Sequence, residues 1–198
     1  MRNWHWALAI CALALSGGVA QAATSWQSVH LKDGITMEIP AAVGETYKPA
    51  PDSDPRELLF MGAEAGDSTL FCDMMEMPYS EDAPRADYVK GAASDAGEGF
   101  CAQDDPLISN YLLNDAHSVK VDGTKAMRCV AAYSDAGDKA NPGKVVSFVI
   151  LAGKKASYHL MCNVEQMNRE GAIYAYVTDW KDVIDHMQQS IHLPAKEK

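Results

Sequence analysis

The chain contains no CxxC pair, no HExxH, no GxSxG and no DxDxDG run. The first absence removes the thioredoxin-type redox motif and the zinc knuckle. The second removes the short histidine spacing of helical zinc proteases, and the third the strained serine elbow of the hydrolases. The fourth removes the calcium loop. Glycine is not arranged as a phosphate cradle either, because "GAEAG" (62–66) is not followed by Lys-Ser or Lys-Thr. Basic residues form no runs, and Lys plus Arg number 17 against 27 Asp plus Glu. Such a chain is poorly suited to nucleic acid or anionic lipid, since binding phosphates requires neutralising cations. Histidine is sparse, and His186 and His192 are six apart at the last predicted helix, which is not a same-face spacing.

Long apolar runs are also missing, with one short exception. Arg2 gives a positive start, Ala7 to Leu15 is apolar, and Ala20-Gln21-Ala22 is a small-x-small cleavage pattern. The run falls short of the about 20 residues that a membrane span needs. The expectation is a signal peptide over residues 1–22, cleavage near Ala22, and a periplasmic or secreted domain over residues 23–198. Losing the leader removes Arg2 and no acidic residue, so the 17 basic residues become 16 and the net charge becomes −11. No stable membrane insertion is expected.

Four cysteines remain in the exported part: Cys72, Cys101, Cys129 and Cys162. An even count in an exported chain points to two disulfides. The expected pairing is Cys72–Cys101, with Cys129–Cys162 by elimination. Each would close a loop of about 30 residues, worth roughly 3 kcal/mol by chain entropy.

The hydrophobic pattern is strand-rich. "SWQSVHL" (25–31) and "ITMEIP" (35–40) flank Asp33-Gly34, a hairpin signal. Residues 41–55, with three prolines, read as a surface loop. "ELLFMGA" (57–63) and "TLFCDMM" (69–75) form a second hairpin. A helix follows, with Asp82 as its cap, Pro84 in its first turn, and Ala86, Val89 and Ala93 on one face; Gly97 and Gly99 end it. Strands are expected at 107–113, 117–121, 125–133, 144–152 and 157–164. "KVVSFVILA" (144–152) is apolar on both faces, as in the centre of a covered sheet. From Ile173 to Ile191 apolar residues recur at helical spacing, and "AKEK" reads as a solvated tail. The predicted fold class is α+β: an antiparallel sheet covered by helices on one or both faces, an α/β/α sandwich. A meander through 125–164 would hold Cys129 and Cys162 two strands apart, about 10 Å. That exceeds the roughly 7 Å a disulfide spans, so either the strand order or the pairing must give.

Four segments resemble the PsbP-like and DcrB-like group of small α/β/α sandwiches. They are "EIP" (38–40), "VDGTKAMRCVAAY" (121–133), "GKVVSFVILAGKKASYHLMCNV" (143–164) and "WKDVIDHMQQSIHLP" (180–194). The resemblance spans roughly residues 26 to 193. It implies a non-enzymatic role: extrinsic subunit, assembly factor, chaperone-like adaptor or envelope protein. It transfers no functional residue to this chain.

"FCDMMEM" (71–77) carries the sharpest local question. Strand alternation puts Phe71, Asp73, Met75 and Met77 on one side, and Cys72, Met74 and Glu76 on the other. Met75 and Met77 resemble the thioether pairs that bind a soft cation such as copper(I). The competing reading is that methionine fills an irregular core. The acidic pairs Asp52 with Asp54, and Asp104 with Asp105, fall in predicted loops and read as solvated. Three functions follow. The first is a periplasmic binding or adaptor module, an inhibitor or immunity-type protein included, that meets another envelope or secreted protein through the acidic loops at 50–68 and 96–105. A basic partner would complement the charge. The second is a copper- or other metal-handling protein using Met75 and Met77. The third is an enzyme whose site is assembled from dispersed residues. No catalytic or metal-ligating residue and no cofactor is assigned from the sequence.

Overall fold

The computed structural model describes residues 25–44, 46–49, 52–93, 111–133, 144–166, 171–195 and 197. The leader, the acidic segment 96–105 and Cys101 lie outside these residues. Two sheets form. The small one pairs β1 (Trp26–His30) with β2 (Thr36–Pro40). The large one is antiparallel throughout and has six strands: β3 (Glu57–Ala65), β4 (Ser68–Pro78), β5 (Tyr111–Val121), β6 (Thr124–Tyr133), β7 (Lys144–Ala152) and β8 (Ala156–Gln166). Their spatial order is β3-β4-β8-β7-β6-β5, so β8 lies beside β4 rather than at an edge. This is the α+β class expected from the sequence.

Local chemistry explains the hairpins. Val121 pairs with Thr124 across a two-residue turn, in which Asp122 and Gly123 both take positive φ (50° and 73°). Asp-Gly is the pair that tolerates this conformation, and the turn twists with the strands it joins. The predicted strands at 107–113 and 117–121 are one strand, with a register shift between Tyr111 and Asn114. A bulge absorbs the irregular alternation that suggested two pieces.

One face of the large sheet carries the main core. Leu59, Met61, Leu70, Cys72, Met74, Val149, Leu151, Leu160 and Val164 are buried there. The β1–β2 hairpin and the C-terminal helix close this face, through Ile35, Met37 and Ile39 on one and Trp180, Ile184 and Met187 on the other. Trp26 stacks on His186 at 3.7 Å between ring centroids, and Glu38 holds the His186 Nε2 at 2.6 Å. α1 (Arg85–Ala93) lies on the opposite face over β6 and β7. The face it buries differs from the predicted one. Tyr88, Gly91 and Ala92 point to the sheet, whereas Ala86 and Val89 are exposed. The small residues are too evenly spread along this helix for periodicity to select a face.

The C-terminal helix is not uniform. α2 (Gly171–Ala175) runs through a π turn (Tyr176–Trp180) into α3 (Lys181–Gln189). At the turn the Lys181 N–H bonds the Tyr176 carbonyl, five residues back. The tail is not solvated as expected. Glu197 is buried, its carboxylate accepts the Lys155 N–H, and its carbonyl accepts the Lys154 N–H.

The disulfide expectation is also corrected. Cys72 is bonded to Cys162, with Cα atoms 4.1 Å apart. This excludes both Cys72–Cys101 and Cys129–Cys162. The cause is the strand order: β4 enters beside β8, and the register sets Cys72 directly opposite Cys162. Cys129 is disulfide-bonded as well.

Candidate functional site

The alternation read in "FCDMMEM" holds. Cys72 and Met74 face the core, and Phe71, Asp73, Met75 and Met77 occupy the other face. Thus Met74 is core filling, while Met75 and Met77 are half-buried on the face that carries α1.

α1 covers only the β6–β7 side of that face. On the β3–β4–β8 side, Phe60, Phe71 and Met161 are 47%, 38% and 38% exposed. Single exposed apolar residues are ordinary, but a group of them is not. The register shows the group. Asp73 pairs with Phe60 on β3 and with Met161 on β8. Along its own strand, Phe71 and Met75 lie two residues away on the same side. One carboxylate therefore sits at the centre of a cross of four apolar side chains. Gly62 lies beneath the Phe71 ring: a Cβ built there would stand 3.4 Å from the ring, so the missing side chain leaves room for the aromatic to lie flat. A groove of about 360 Å³ opens next to Phe71, lined by Val43, Gly62, Ala63, Glu64 and Thr69.

This setting raises the Asp73 pKa to about 6. Desolvation by its neighbours is the main cause, and the negative charge of Glu57 adds to it, against a smaller opposing effect of Lys144. Because the folded value lies above the ordinary 3.8, the folded state holds this proton more tightly than the unfolded chain. The contribution to stability is complete below pH 3.8, falls as the pH rises, and is lost above about 6. A shift of this size corresponds to at most about 3 kcal/mol. Solvent screening at a half-buried position reduces it to roughly 1–2 kcal/mol. Asp73→Asn is therefore expected to stabilise the protein by about that amount at pH 7.5 and by nearly nothing at pH 3.5. Urea titrations at the two pH values measure it, and a variant less stable than the parent at pH 7.5 would contradict the assignment.

His159 was expected to face solvent or a second layer. It faces the second layer, 5.9 Å from the Tyr88 ring, and burial lowers its pKa to about 4. Its Nε2 is 2.9 Å from Ser157 Oγ. The register sets it opposite Met75, a proximity not visible in the sequence. Among the described residues, no three His, Cys, Asp or Glu side chains gather to hold a metal ion. Asp54, from the predicted acidic loop, is engaged locally: Arg56 forks onto it and lowers its pKa to about 2. Asp104 and Asp105 lie outside the described residues. Among the described residues, no helix is long and apolar enough to cross a membrane.

The chain matches no family model and no curated protein. Solved structures with a similar layout include the Ran-binding protein Mog1p of Saccharomyces cerevisiae, at 15% identity and a TM-score of 0.48, over 85% of this chain and 95% of that one. A point mutant of Mog1 gives the same values. LpqN of Mycobacterium tuberculosis, involved in cell envelope biogenesis, matches at 14% identity and a TM-score of 0.45, over 84% of this chain and 89% of that one.

Proposed function

We propose that this protein is an exported, non-enzymatic binding or adaptor module that docks another envelope or secreted protein on the β3–β4–β8 face. The observation that carries this reading is the ring of Phe60, Phe71, Met75 and Met161 around Asp73. Aromatic anchors beside a groove are typical of the residues that dominate protein–protein affinity. A carboxylate held among apolar groups at a cost in stability has its best use against a cation that arrives with the partner. The partner therefore presents apolar side chains flanking a Lys or Arg, in keeping with a basic protein such as a toxin or lysozyme-like enzyme that this one would inhibit.

The test is capture from periplasmic extract by the parent protein, by Phe60→Ser/Phe71→Ser and by Asp73→Asn. Both aromatic positions are exposed, so the double variant should keep its fold. Its affinity for the captured protein is expected to fall about 30-fold or more. Asp73→Asn should remove most of the salt dependence of capture. A partner retained equally by the parent and the double variant would rule out this face.

A second reading rests on the register of His159 opposite Met75, two positions along β4 from Met77. Two thioethers and a neutral imidazole suit copper(I). Copper(I) titration of the parent against Met75→Leu/Met77→Leu separates the readings. Equal affinity would end the copper one.

A further inference from the structure

The opposite, helix-covered face of the sheet holds a different kind of site. On β6 the core-facing positions are Ala126, Arg128, Val130 and Ala132, so an arginine stands in a row of small apolar residues. Its Nη2 donates to the Asp185 carboxylate and, at 3.3 Å, to the Tyr176 hydroxyl. Lys181 donates to the other Asp185 oxygen at 2.7 Å. The π turn sets the phase between Tyr176 and Asp185, and wide turns of this kind occur often at functional sites.

Beside this cluster is a cavity of about 480 Å³, in the size range of ligand pockets. Val119, Val121 and Val149 form its apolar wall, and Arg128, Asp185 and Gln188 its polar one; Lys120 and Gln189, both exposed, also line it. Gln188 is 2% exposed. Its Nε2 donates to Ser147 Oγ at 3.1 Å, but its Oε1 has no partner, and neither has Arg128 Nε. An unpaired buried acceptor and an unpaired buried donor are both costly, and here the two belong to side chains of one cavity.

We propose that this cavity binds a small aliphatic zwitterion, a free amino acid or a short peptide. The two walls match such a molecule group by group. A carboxylate meets Arg128 Nε and the Lys120 ammonium. An ammonium meets Gln188 Oε1 and the Asp185 carboxylate. A branched aliphatic body lies on the three valines. Neither charge of the ligand is left without a counterpart, which is the condition for burying it.

The test is titration of the purified protein with leucine, with leucyl-leucine, and with isovalerate and isopentylamine, each of which carries one of the two charges. The readout is the Gln188 side-chain amide resonance together with calorimetry. Saturable binding of leucine or leucyl-leucine is expected, and which of them binds more tightly distinguishes the free amino acid from the peptide. The single-charge analogues should bind at least about tenfold more weakly. Gln188→Leu and Lys120→Ala should each weaken binding about tenfold. Lys120 is exposed, so its truncation leaves the fold intact should Gln188→Leu disturb it. No saturation by either zwitterion at tens of millimolar, equal binding of isopentylamine, or unchanged affinity in Lys120→Ala would overturn the proposal.

Discussion

Replacing both members of the Cys72–Cys162 bridge, Cys72→Ala/Cys162→Ala, is expected to lower the stability by about 3–4 kcal/mol. The bond ties residues 90 apart in sequence. In the chain-entropy model, a loop of that length restricts the unfolded chain by about 4.6 kcal/mol. The disulfide at Cys129, between the two positions in sequence, already limits that freedom and reduces the figure. Local geometry adds little, because backbone ladder bonds already hold β4 against β8. The double replacement is preferable to a single one, which would leave a buried thiol free to exchange. Both cysteines are fully buried, so reductant should attack this bond only through opened molecules. The urea midpoint of the double variant measures the first effect. The dependence of reduction rate on denaturant measures the second. A loss below about 1 kcal/mol would mean that the unfolded chain is already confined by other means.

The second large effect is expected at Trp180, which is among the largest fully buried side chains. Trp180→Ala should cost about 4 kcal/mol, the transfer of the indole plus the cavity it leaves. Part of the effect is polar. The indole Nε1 donates to Ser68 Oγ at 2.8 Å, and that hydroxyl lies within hydrogen-bonding distance of the Ala65 carbonyl and of Asp179. This network joins the β3–β4 turn to the helix. Trp180→Phe keeps most of the apolar volume and loses the donor, so it should cost about 1–2 kcal/mol. Thermal or urea denaturation of the two variants gives the ratio. Equal losses would place the whole effect in the hydrogen bond rather than in packing.

How much of this was legible depends on the range of the interaction. The Asp-Gly turns, the two-sided strand Lys144–Ala152 and the alternation through Phe71 and Cys72 are local, and the sequence carries them directly. The cysteine pairing is not local. It follows from β8 inserting beside β4, a choice made by the whole core, and no spacing between cysteines encodes it. The meander through β6, β7 and β8 was readable, and it already argued against Cys129–Cys162. The docking face was half-visible: Phe71, Asp73 and Met75 share a side by alternation, but Phe60 and Met161 join them only through the register. For the cavity a signal was present in the second face of β6, where Arg128 interrupts Ala126, Val130 and Ala132. Attention to the Met127–Cys129–Ala131 face passed over it. Apolar spacing from Ile173 to Ile191 fits an ordinary helix closely enough that the wide turn leaves no mark on it.

That wide turn amounts to a one-residue insertion in an otherwise regular helix. Losing any single residue between Tyr176 and Trp180 would let the segment close into uniform α-helix and swing everything after it by about 100°. Asp185 and Gln188 would then point away from Arg128, while the length and composition of the chain would scarcely change. Among divergent descendants of this fold, a lone gap at that spot would therefore separate chains able to assemble the polar wall from those that have abandoned it.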